Sequence, residues 1–109
     1  ALAAVAERNH LWIVADEVYA DFVFDGPFVS IAALPGMAAR TVTAYSFSKS
    51  HALAGARVGL VVGPPAVIEL ARRVSTHTLF NVPVVSQRAC AAALATGDPW
   101  VDAAREVYR

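Results

Sequence analysis

The sequence predicts an α/β fold, with helices layered over a mostly parallel sheet, and three observations carry that expectation. Leu11-Trp12-Ile13-Val14-Ala15 is an unbroken apolar run of strand length, the pattern of a strand in a sheet covered on both faces. Thr41-Val42-Thr43-Ala44-Tyr45-Ser46 and Val58-Gly59-Leu60-Val61-Val62 are rich in β-branched residues and read as two further strands. Segments with helical spacing of apolar residues flank these runs, giving the order α, β, β, β, α, α, α.

Each element has a local reason. Leu2, Val5 and Ala6 stand at helical spacing, and the pattern stops near Asn9-His10, where the first strand, Leu11 to Ala15, begins. Residues 20–40 are mostly connection, punctuated by Asp25-Gly26-Pro27 and Pro35-Gly36, with one short helical turn expected at Ser30 to Leu34. The third strand is closed by Gly63, and Pro64-Pro65 can only open a helix. Val67, Ile68, Ala71 and Val74 form its apolar stripe, down to about Thr76. Asn81 is the expected N-cap of a helix from Val82 to Thr96 that Gly97 ends, and Asp98-Pro99 caps and starts the last helix.

Composition narrows the class. The hydrophobic set makes up 57% of 109 residues, about 60% when glycine is counted in place of tyrosine, against roughly 45–50% for an average globular domain. That excludes disorder. Charges balance at 9 Lys+Arg and 9 Asp+Glu, and no apolar stretch has the length of a membrane span, so neither nucleic acid nor a membrane is an expected partner. The single cysteine, Cys90, forms no internal disulfide and reads as a small core hydrophobe suited to a reducing cytosol. The first residue is Ala1 rather than Met, already in helical register with no capping signal before it. The expectation is therefore a single, incomplete domain over residues 1–109, with any targeting segment lying upstream.

Two segments at strand ends carry chemistry, and ligand sites of open α/β sheets lie outside the carboxyl ends of strands. The first is Asp16-Glu17-Val18-Tyr19. A carboxylate there needs a cation or strong donors if it is buried, and Asp16 taken alone also reads as a cap for the next turn. The second is Ser46-Phe47-Ser48-Lys49, running into Arg57 and Gly59. Lys49 is the only lysine beside eight arginines. A guanidinium stays protonated and cannot act as a nucleophile, whereas a lysine amine can. A solvated lysine in an arginine-biased chain is the alternative. Ser46, Ser48 and Arg57 offer the hydroxyls and the bidentate fork that a phosphate monoester requires, so the set suggests a phosphorylated aldehyde cofactor.

Ser46-Phe47-Ser48-Lys49, followed by Arg57 and Gly59, resembles the pyridoxal-phosphate attachment motif of the class I/II aminotransferases, and Asp16-Glu17-Val18-Tyr19 resembles the same family's Asp-x-x-Tyr element. The resemblance covers the whole chain. It implies the mixed, mostly parallel sheet of the fold type I large domain, and a pyridoxal 5'-phosphate-dependent transaminase acting on an amino acid and a 2-oxo acid as a cytoplasmic homodimer. By the same resemblance, Lys49 holds the cofactor as a Schiff base and then serves as the proton-moving base. Asp16 keeps the pyridine nitrogen protonated, Tyr19 donates to the cofactor O3′, and Arg57, Ser46 and Ser48 hold the phosphate. A β-lyase or cyclising enzyme on the same scaffold, or a non-catalytic cofactor-binding regulatory domain, are the alternatives.

His10, His51 and His77 share no metal-ligand spacing, so no metal is expected. Two readings stay open for His51, a solvated or capping histidine and a residue lining the cofactor pocket. His77-Thr78-Leu79-Phe80-Asn81 reads as an interhelical loop or, by resemblance, as a segment reaching a partner subunit's active site. Trp12 and Trp100 read as core or interface aromatics.

Overall fold

The computed structural model describes all residues 1–109. The elements follow in the order α1 (Leu2–Arg8), β1 (Ile13–Asp16), β2 (Thr41–Ser46), α2 (Phe47–Ser50), β3 (Gly59–Val62), α3 (Pro65–Thr78), α4 (Val84–Thr96) and α5 (Asp98–Tyr108), with short 3-10 turns at Ala20–Phe22, Ile31–Ala33 and Ala54–Ala56. The chain folds as two compact units that it visits alternately. One holds Ala1–Glu17, Val29–Tyr45 and Leu60–Phe80; the other holds Val18–Phe28, Ser46–Gly59 and Asn81–Arg109.

The first unit is built on a sheet of order β1-β2-β3. β1 and β2 are parallel, with Ile13 opposite Thr41 and Asp16 opposite Ala44. Gly63, just past β3, lies against the start of β2: a Cβ there would stand 3.3 Å from the Thr41 carbonyl oxygen and the Val42 side chain. β3 therefore runs antiparallel to β2 and the sheet is mixed, as the family resemblance implied without saying which strand reverses. Ala6, Met37, Thr41 and Thr43 are buried here, and Arg40 Nη1 ties the packing together by donating to the Ala6 carbonyl at 3.2 Å.

β1 starts at Ile13, two residues later than the apolar run suggested. His10 adopts a left-handed conformation with φ 53°, and the Leu11 amide donates back to the Ala6 carbonyl at 2.8 Å, so Leu11 and Trp12 belong to the turn that leaves α1. The expected burial of the strands on both faces is also corrected. β1 alternates half-buried and exposed residues, and β3 is exposed throughout. Three strands, α1 and α3 do not supply enough surface to cover both faces, and α3 itself buries no residue. Trp12 and Trp100 are exposed rather than core residues.

Proline opens α3 as expected. Its C-terminal end runs to Thr78 because Thr76, His77 and Thr78 all return side-chain bonds to carbonyls one turn back, and Phe80 then leaves the helix at φ 58°.

In the second unit α4 begins at Val84 rather than Val82. Pro83 takes the cap position in an extended conformation and disfavours helix at the residue before it. Asn81 Oδ1 instead accepts the Val82 amide at 2.9 Å, folding the lead-in rather than capping the helix. Gly97 ends α4 as expected, its amide donating to the Ala93 carbonyl at 2.8 Å. It also caps α5, so Asp98 is the first helical residue rather than the cap. In the first unit the Ser30 turn forms as anticipated, with Ser30 Oγ accepting the Ala32 amide. Cys90 is a buried thiol whose pKa is pushed up by burial, in keeping with a core hydrophobe. No helix is long and apolar enough to cross a membrane.

Candidate active site

β2 ends extended at Ser46, and Ser46 Oγ accepts the Ser48 amide at 3.2 Å. This cap turns the strand directly into the single turn of α2. Within that turn Phe47 and Ser50, three residues apart, are buried, which leaves Ser48 half-buried and Lys49 exposed on the open side. Two contacts fix the buried side. The Ser50 hydroxyl is 2.8 Å from His51 Nδ1, and the His51 ring lies 5.5 Å from that of Phe47. The opposite edge of the imidazole lies against Gly97, where a Cβ would meet His51 Cδ2 at 2.8 Å. His51 is thus a packing residue and does not line the cavity beside Lys49.

The chain then passes through left-handed conformations at Ala52 (φ 53°) and Arg57 (φ 54°). Neither residue is glycine, and such conformations cost about 1–2 kcal/mol each for residues with a Cβ. Arg57 Nη1 donates to the Ala54 carbonyl at 3.0 Å, and the rest of the exposed guanidinium fork makes no bond within the chain.

Beside α2 lies a cavity of about 730 Å³. Tyr19, Ser48 and Lys49 supply its polar groups, and Phe22, Phe24 and Tyr108 its aromatic wall. Lys49 Nζ stands 5.6 Å from the centre of the Tyr19 ring and makes no hydrogen bond or ion pair. The second unit therefore brings together Tyr19, Ser48 and Lys49. Ser46 supports them from beneath as a cap, while Arg57 lies outside the cavity wall. Asp16 belongs to the first unit, as the exposed last residue of β1. The aromatic wall escaped the sequence reading, because Phe22 and Tyr108 are distant in sequence and share no periodicity. Its signal was the run Phe22-Val23-Phe24 following Tyr19. Chemically, the cluster offers an unpaired amine beside a phenol and hydroxyl donors.

Residues 1–108 match the family described as Aminotransferase class I and II. The chain belongs to that family. It is 46% identical over its full length to the arginine--pyruvate transaminase of Pseudomonas aeruginosa, covering 28% of that protein. Over 91 residues, 83% of the chain, it is 37% identical to human kynurenine--oxoglutarate transaminase 1, covering 22% of that protein. Among solved aminotransferases, the N-succinyldiaminopimelate aminotransferase of Mycobacterium tuberculosis superposes with a TM-score of 0.92 at 34% identity, over 97% of this chain and 28% of that one. The aspartate aminotransferase of Thermus thermophilus with maleate gives a TM-score of 0.92 at 29% identity, over 99% of this chain and 28% of that one. These likenesses establish the fold type I α/β architecture, and the chain spans less than a third of the relatives' length.

Proposed function

We propose that residues 1–109 form part of the large, cofactor-binding domain of a pyridoxal-phosphate-dependent aminotransferase that moves an amino group between an amino acid and a 2-oxo acid. One observation carries the reading: the only lysine of an aminotransferase-family chain presents an amine free of any ion pair to a cavity it shares with Tyr19 and Ser48.

The donor set fits a phosphorylated aldehyde. Ser46 Oγ is engaged only as an acceptor, so its proton remains available to a phosphate, as does that of Ser48. Arg57 spends one N–H on Ala54 and keeps the others for a bidentate grip. Pyridoxal phosphate, when bound, supplies an aldehyde that captures amines and an electron-poor ring that accommodates charge from the substrate's α-carbon. Lys49 would hold the aldehyde carbon through its amine and would serve as the base that moves the proton at the substrate α-carbon. Tyr19 would donate a hydrogen bond to the ring oxygen, and Asp16 would keep the ring nitrogen protonated. Arg57 and Ser46, with Ser48, would bind the phosphate. The relatives' activities, on arginine with pyruvate and kynurenine with oxoglutarate, support amino acid and 2-oxo acid substrates. The reading includes a homodimeric enzyme and, with one buried thiol and no disulfide, a reducing cytoplasmic setting.

Borohydride reduction of the full-length protein with pyridoxal phosphate, followed by peptide mass mapping, tests the anchor. The cofactor mass is expected on Lys49, and Lys49→Ala is expected to keep measurable cofactor affinity while losing turnover. Label on another residue overturns the assignment.

A further inference from the structure

Tyr19 stands on a segment with little regular structure of its own. Val18–Phe28 contains a single 3-10 turn, closed by the Phe22 amide donating to the Tyr19 carbonyl at 2.9 Å. Tyr19 is 58% exposed, and its hydroxyl makes no hydrogen bond within the chain. A phenol so placed is only as well oriented as the backbone beneath it.

That backbone is gripped by α5. Arg105 Nε donates to the Asp21 carbonyl at 2.9 Å, and Arg109 Nη2 donates to the Phe24 carbonyl at 3.2 Å. The Tyr108 ring meets Phe22 edge-on, with centroids 5.4 Å apart and planes at 89°. Val101, Arg105 and Tyr108 lie at i, i+4 and i+7, on one helix face, and Val101 is buried. Arg105 is aimed by its own helix, since Nη1 donates to Asp102 Oδ1 at 3.3 Å. One rigid plane thus bonds a helix neighbour and a carbonyl 84 residues earlier in the chain, which a flexible lysine ammonium cannot reproduce with the same geometry.

We propose that Arg105 is a positioning residue for Tyr19: it clamps the carbonyl two residues beyond the tyrosine and so fixes the direction from which the phenol faces the Lys49 cavity. The inference rests on the role of Tyr19 given under Proposed function.

The test is a double-mutant cycle in the full-length enzyme, with Arg105→Ala, Tyr19→Phe and their combination. Arg105→Ala is expected to lower kcat about tenfold with KM changed less than about twofold, and Arg105→Lys to recover part of the loss. In the Tyr19→Phe background, Arg105→Ala is expected to cost less than about twofold, because the group it positions is gone. In the cofactor-free protein, amide exchange over residues 19–24 is expected to accelerate about tenfold in Arg105→Ala. Unchanged exchange, or losses in kcat that multiply in the double variant, overturns the positioning role. If Tyr19→Phe alone leaves kcat and the absorbance of the bound cofactor unmoved while borohydride still labels Lys49, the role of Tyr19 fails and the positioning of it falls too. Should Arg105→Ala not fold, Arg105→Lys carries the same cycle and exchange measurement.

Discussion

Asp16 and Glu17 are adjacent carboxylates with opposite surroundings. Glu17 is buried and accepts the Ser30 hydroxyl at 2.7 Å, which answers the cost of burying a carboxylate. Asp16 is exposed, and its carboxylate makes no hydrogen bond or ion pair within the chain. Asp16→Asn is therefore expected to leave folding nearly unchanged while lowering turnover of the full-length enzyme by orders of magnitude, because its proposed task is to keep the cofactor nitrogen protonated. Near-normal turnover, measured beside an unaltered melting curve, removes Asp16 from the mechanism. Arg57→Ala differs in kind. It is expected to weaken cofactor binding by about 2–3 kcal/mol, the scale of a lost charge-assisted pair, and an unchanged cofactor dissociation constant refutes the phosphate contact. At this scale Lys49, Asp16 and Arg57 could be proposed from the sequence because side-chain chemistry and position near a strand are local properties, and Tyr19 from the resemblance of its short motif. The Glu17–Ser30 bond and the packing of His51 were not, since both depend on partners the fold brings in from elsewhere.

α2 shows how one short element presents a reactive side chain. Ser46 starts it, Phe47 and Ser50 bury one side, and His51 wedges it against Gly97. Gly97 is constrained from two sides, since a Cβ would collide with the Ala93 carbonyl oxygen and crowd His51. The side chain could turn away, but only by giving up the Ser50 bond, and the backbone carbonyl cannot yield as cheaply. Gly97→Ala is expected to destabilise the full-length protein by about 1–3 kcal/mol, the usual range for overpacking. It should also disturb the α2 turn, seen as faster amide exchange at residues 47–52. Equal stability and unchanged exchange show that the wedge is not needed. The stop at Gly97 was legible, since glycine after an apolar periodic run marks a helix end. The start of α4 was misread in favour of Asn81 although the signal was present, because Pro83 restrains Val82 whatever cap precedes it.

For the whole molecule, the decisive feature is the apolar surface left open. Val14, Leu70, Val74, Val85, Leu94 and Val107 are all exposed, in a chain spanning 28% of a relative with which it is 46% identical. Open apolar area of this kind marks surfaces that other parts of a protein or a partner cover. Residues 1–109 expressed by themselves are expected to be poorly soluble or molten and to show no amino-group transfer. Near-UV circular dichroism, hydrodynamic radius and a transamination assay check this, and a monodisperse, rigid, active monomer refutes it. The amino-acid sequence by itself determined the α/β class, the order of the elements other than the single-turn α2 between β2 and β3, and the residue types proposed for the candidate site, because periodicity, turn chemistry and the choice of a lone amine are written in neighbouring positions. Only the tertiary structure decided that β3 runs antiparallel, that Phe22, Phe24 and Tyr108 wall the Lys49 cavity, and that Arg105 holds the Tyr19 segment. Those facts arise from contacts between residues up to 86 positions apart, and long-range pairing leaves no local pattern to read.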